Sequence, residues 1–221
     1  MTFAIVCALG CAVLVVAEWK HLATVRVIAK VVASLAFLAI GVEAEPKSWI
    51  VLGLAFGVIG DIALLSERGF LLGLGTFLVG HLAYVISIAA QLPPAQWFTP
   101  EALVPLAVAS IALVMLWPRL GSLRIPVIAY VIVIVAMVTG ALALRHVSDL
   151  PAPQANLMAT VAGRSVYSRS HEMFAAGACL FFASDLSVAR DKFVGASFTN
   201  KLWGLPAYYF GQILIAYSLV K

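Results

Sequence analysis

Charge is what this sequence has least of. Only 11% of its 221 residues are Asp, Glu, Lys or Arg, against about 25% in a soluble domain whose surface must face water. A water-soluble globular fold is therefore excluded, and the deficit is not confined to one anchor, because apolar runs recur from Thr2 to Val220. Strand-like alternation is missing too, which excludes a transmembrane barrel and leaves helices to satisfy the backbone in lipid. No basic cluster accompanies the net charge of +4; the cations sit singly at the ends of apolar runs, so no nucleic-acid partner is expected. The three cysteines, Cys7, Cys11 and Cys179, form no CxxC pair, and neither a disulfide framework nor a metal knuckle follows. No GxSxG elbow is present, and the histidines are too few and scattered for a catalytic zinc site. No basic residue precedes Lys20, so the N-terminus reads as an uncleaved first span and not as a secretory signal.

What is present is apolar sequence punctuated by charge, proline and glycine. It predicts an all-α, polytopic transmembrane helical bundle of about eight spans in one domain, at roughly 2–17, 22–40, 48–65, 69–90, 101–117, 123–143, 172–190 and 203–220. Most connections are tight. The exception is a longer polar loop, 145–170, with Pro151 and Pro153 and room for a short interfacial helix at 154–162. Loops one, three, five and seven hold Lys20, Arg68, Arg119, Arg190, Lys192 and Lys201, while Lys47 is the basic residue of the two short opposite loops. The bias places both termini outside and the odd loops in the cytoplasm. Short loops and the lack of a targeting extension point to a bacterial inner membrane.

Ionisable groups inside a span are costly, so each is a site candidate. Asp61 lies near the end of the third span and Asp185 near the end of the seventh, which run in the same direction. Both acids then lie at similar depth, toward the odd-loop face. Lys30 sits about two turns into the second span, and Tyr208, Tyr209 and Gln212 share a face of the eighth. His81 and Tyr84 lie in the fourth span. Gly53, Gly57 and Gly60 line the third and admit close approach by a neighbour. Each residue also has a plainer reading: the acids hydrating through helix ends, Lys30 snorkelling to the headgroups, His81 packing, the tyrosines forming an interfacial belt. Their convergence at one depth sets the group apart.

Four segments, Gly60-Asp61, Phe77-Leu78-Val79-Gly80-His81-Leu82-Ala83-Tyr84, Phe181-Phe182-Ala183-Ser184-Asp185 and Tyr208-Tyr209-Phe210-Gly211-Gln212-Ile213-Leu214-Ile215-Ala216, resemble in order and spacing the YhhN-like lysoplasmalogenase family. The resemblance implies an ether hydrolase of lipid metabolism. Its members split the vinyl ether of lysoplasmalogens into a fatty aldehyde and glycerophospho-ethanolamine or -choline. The partners implied are a lysophospholipid substrate and membrane lipid; no cofactor and no metal are called for, and no oligomeric state follows. On that reading Asp61 and Asp185 act as acid and base in one partly dry pocket. Lys30 meets the phosphate, His81 relays a proton, Tyr209 and Gln212 orient water or the ether oxygen, and Tyr84 and Tyr208 complete the substrate site. Three rivals keep the same residues in other roles: a lipid hydrolase of different bond specificity, a proton-coupled or small-molecule transporter, and an assembly protein.

Overall fold

The computed structural model describes residues 2–146 and 157–220. Among the described residues there are eight α-helices and no strand: α1 (Thr2–Trp19), α2 (Ala23–Ala44), α3 (Trp49–Ala63), α4 (Phe70–Ala89), α5 (Leu103–Leu116), α6 (Arg124–His146), α7 (Leu157–Phe193) and α8 (Phe198–Tyr217). Short 3-10 turns join several of them. Six helices are long and apolar enough to cross a membrane by length and composition. The other two are α3, with 15 residues, and α8, whose apolar run is broken by Asn200, Lys201 and Gln212. These two carry Asp61, Tyr208, Tyr209 and Gln212, so the helices least like lipid spans hold one of the buried polar sets.

Position 145–170 departs from the expected loop. Arg145 and His146 are the last residues of α6, and residues 157–170 are the first turns of α7. The short helix expected at 154–162 falls partly outside the described residues; from Leu157 onward it merges into α7. Polar side chains ended the apolar run without ending the helix, because backbone hydrogen bonds close within a helix whatever its side chains are. At 37 residues, α7 is about 55 Å long by its rise per residue, well beyond the roughly 30 Å of a bilayer core. Its span is therefore the C-terminal part, Arg169–Phe193.

Successive helices run antiparallel. Glu18 at the end of α1 pairs with Lys201 at the start of α8 at 2.7 Å, and Phe70 at the start of α4 meets Phe193 at the end of α7. One face of the bundle thus gathers the α1–α2, α3–α4, α5–α6 and α7–α8 connections. Buried apolar side chains from every helix except α5 form one cluster, centred on Phe37, Leu54, Tyr84, Met137 and Tyr209. Helix α5 packs mainly on α6 and stands off α4 and α7.

Glycines set the helix spacing. A Cβ at Gly177 would lie 2.6 Å from the carbonyl oxygen of Gly211, and one at Gly211 would lie 2.9 Å from that of Gly177. Backbones of α7 and α8 therefore touch, the close approach that small residues allow between membrane helices. Gly177→Val is expected to separate them at a cost of about 1–3 kcal/mol, the usual penalty for overpacking a tight core. A lower thermal midpoint in detergent, with Gly75→Val near neutral because that site faces open space, checks this. On α3 the glycines receive side chains instead: Gly53 faces the ring of Tyr84, Gly57 the amide of Gln212, and Gly60 the ring of Phe77.

Candidate functional site

Two polar sets lie inside the bundle. The first is built on α2, α3 and α8. Lys30 Nζ donates to Asp61 Oδ1 at 2.9 Å, and Ser34 Oγ lies 2.6 Å from Asp61 Oδ2. The same hydroxyl is 2.8 Å from the Lys30 carbonyl and 3.4 Å from Tyr209 Oη, which itself reaches that carbonyl at 3.5 Å. All four residues are buried. A buried ammonium and carboxylate in direct contact satisfy each other, and the spare oxygen is held by a hydroxyl, the condition under which such a pair is tolerated away from water.

A neutral branch adjoins it. Tyr84 Oη donates to Gln212 Oε1 at 2.9 Å, Gln212 Nε2 donates to Tyr208 Oη at 3.3 Å, and Tyr208 Oη reaches the Gly57 carbonyl at 3.4 Å. Every member is almost fully enclosed, so this branch fixes the α3–α4–α8 contact with its polar atoms matched.

The second set lies across α4, α6 and α7. Tyr130 Oη donates to Asp185 Oδ2 at 2.8 Å, and His81 Nε2 stands 3.8 Å from the same oxygen. His81 Nδ1 is 2.7 Å from the Phe77 carbonyl, which can only accept, so Nδ1 carries a proton. In the neutral ring, Nε2 is then a bare acceptor, and it is a buried nitrogen with no hydrogen-bond partner among the described residues. Asp185 also lines an apolar groove with Leu74, Phe77, Leu113, Val131, Ile134 and Phe182. That groove exists because α5 stands off its neighbours and leaves a slot against α4, α6 and α7.

The expected meeting of the two aspartates is corrected by this arrangement. They belong to separate hydrogen-bonded sets, and Asp61 is not part of the groove lining. Rings connect the sets: His81 packs on Phe181 at 4.5 Å, Phe181 on Tyr208 at 5.1 Å, and Tyr208 on Tyr209 at 4.9 Å. Similar depth did not bring similar direction, because Asp61 turns toward α2 and α8 whereas Asp185 turns toward α4 and α6. Lys30 likewise is not presented to a ligand; its amine is held by Asp61. Tyr130 and Ser34 were not singled out in the sequence. Each is one hydroxyl in a long apolar run, and only its partner on another helix gives it meaning.

The sequence profile of the YhhN family matches residues 23–219. A Mycobacterium bovis protein named lysoplasmalogenase is 38% identical over 110 residues, 45% of this chain and 41% of that protein, and a Mycobacterium tuberculosis protein of the same name matches equally. The membrane protein YhhN of Escherichia coli is 32% identical over 93 residues, 41% of this chain and 44% of that protein. The matched part spans less than half the length of each of these relatives. No solved structure matches the chain. With a profile that covers nearly the whole sequence, and an all-helical architecture with six helices able to span a bilayer, this multi-pass integral membrane protein belongs to the YhhN family.

Proposed function

We propose that the protein is a membrane-embedded lysoplasmalogenase, hydrolysing the vinyl ether of lysoplasmalogens to a fatty aldehyde and a glycerophospho-alcohol, in a bacterial inner membrane. One observation carries this reading: a carboxyl group, that of Asp185, opens onto an apolar groove while a tyrosine hydroxyl and a histidine nitrogen stand behind it. An alkenyl chain fits such a groove, and a vinyl ether needs a proton donor above all.

The chemistry follows from the atoms at hand. Oδ2 of Asp185 accepts from Tyr130, which leaves Oδ1 to carry the proton. Transfer to the alkene carbon farther from the ether oxygen breaks the π bond and gives an oxocarbenium ion beside the new carboxylate, as in glycoside cleavage. The Tyr130 hydroxyl holds that carboxylate in place. Water adds to the cationic carbon and returns a proton to Asp185, forming a hemiacetal. Proton movement to the ether oxygen then releases the alcohol and the aldehyde. Among the described residues no lysine or arginine pairs with Asp185, whereas Asp61 is held by Lys30, which leaves Asp185 the freer of the two acids for the donor's role. His81 Nε2, 3.8 Å from Oδ2, stands behind the carboxyl and leaves the proton on Oδ1. In this reading Asp61 holds Lys30, and Tyr84, Tyr208, Tyr209 and Gln212 brace the helices that carry the site.

A lipid panel tests it. Purified protein is expected to release fatty aldehyde from 1-alkenyl lysophosphoethanolamine or lysophosphocholine, and to leave the saturated ether and the ester analogues intact, because neither has an alkene to protonate. Cleavage of the ester instead would transfer the assignment to a different hydrolase. Ion or solute uptake in proteoliposomes, with every lipid untouched, would overturn it in favour of a transporter.

A further inference from the structure

The groove beside Asp185 ends at the bundle face that gathers the odd connections, and a cation stands at its mouth. Lys192 Nζ lies 4.6 Å from the centre of the Phe70 ring, and Phe70 packs edge-on against Phe193 at 6.1 Å. Both phenylalanines line the groove. Asp185 and Lys192 are seven residues apart on α7, two turns, which places them on the same helix face and about 10 Å apart along the axis. Ala189, between them, also lines the groove. Asp191 makes no ion pair with Lys192; its carboxylate is turned to the Ser197 backbone amide and Asn200 Nδ2, from which it accepts. No carboxylate among the described residues pairs with Lys192.

An almost wholly apolar groove has no place for a phosphate, so a lysolipid bound in it must leave its headgroup at the mouth. The two helical turns between Asp185 and Lys192, about 10 Å of helix, are of the order of the extended glycerol and ether chain between a vinyl carbon and the phosphorus. We propose that Lys192 receives the substrate phosphate and so sets the vinyl ether at the depth of Asp185. The proposal rests on the lysolipid reading above, and it reassigns to Lys192 the phosphate role that the sequence had given to Lys30. Lys192 is exposed, and its contact with the Phe70 ring holds the ammonium beside the groove by a modest cation–π attraction.

Binding decides this independently of turnover. In maltoside micelles, which carry no phosphate, the non-cleavable 1-O-alkyl lysophosphoethanolamine is titrated against the full chain, with 1-O-alkylglycerol as the partner lacking phosphate. Lys192→Gln is expected to weaken the phospholipid about fivefold, the scale of one interfacial ion pair. Lys192→Arg retains affinity, and alkylglycerol binding is unchanged in both variants. Equal affinity of the Gln variant for the phospholipid would overturn the proposal, and so would an equal loss for both ligands. Displacement by inorganic phosphate as effective as by the phospholipid would mark a free-anion site and overturn it as well. Aldehyde release assayed in parallel keeps the readings apart. A wild-type chain that binds in the expected pattern yet cleaves nothing refutes the hydrolase and leaves the phosphate site standing.

Discussion

Asp185→Asn is expected to lower aldehyde release at least about a hundredfold, the scale of a lost general acid, with the thermal midpoint close to that of the wild type. The amide has the size and shape of the carboxyl. Its oxygen still accepts from Tyr130 Oη, so the contact now made at 2.8 Å survives, and no charge is stranded. What the amide lacks is a proton it can give up to carbon. Substrate affinity is therefore expected to persist while the rate collapses, which separates a catalytic loss from a binding loss. Tyr130→Phe and His81→Asn provide graded comparisons: each leaves the acid in place but removes a neighbour that steadies it, so each is expected to fall between Asp185→Asn and the wild type. A folded Asp185→Asn protein that turns over at near-normal rate would remove Asp185 from the chemistry.

The architecture was readable because each apolar run is bounded by charges or prolines, and the membrane leaves few ways to arrange such runs. The expected start of the last span, residue 203, lies inside α8, which begins at Phe198 after Ser197 accepts a hydrogen bond from the Asn200 amide. Capping continued that helix through Asn200 and Lys201, where hydropathy had stopped. The same confusion of apolar run with helix hid the first turns of α7. At the site, depth was legible and rotation was not. Counting residues from helix ends placed Asp61, Asp185, Lys30 and the α8 trio near one face of the bundle, but it carries no information on which neighbour each side chain meets. That depends on which helices are adjacent, and the glycine seats for Tyr84, Gln212 and Phe77 settle it in three dimensions. His81 illustrates the limit: alone in its span it looks like a packing residue, and its unpartnered Nε2 becomes informative only beside Asp185.

Asp61→Asn is expected to behave quite differently from Asp185→Asn: it destabilises the bundle. Lys30 Nζ contacts Asp61 Oδ1 at 2.9 Å with only 11% of the lysine side chain and 3% of the aspartate side chain exposed. Removing the carboxylate leaves an ammonium enclosed by α2, α3 and α8 with no counter-charge. Breaking one side of a buried ion pair costs about 3–5 kcal/mol, so melting in detergent should begin well below the wild-type midpoint. Lys30→Met in the same chain removes the stranded charge while keeping a flexible apolar stem. The double variant Lys30→Met with Asp61→Asn should then recover most of the stability, because Ser34 and Tyr209 can still pair with the amide. This pair of measurements also decides what Asp61 does. If it only holds Lys30, activity returns together with the fold. If it transfers a proton, as the two-carboxylate reading of the sequence required, the double variant folds and stays silent, and the acid–base assignment must then span both polar sets through the Phe181–Tyr208 rings.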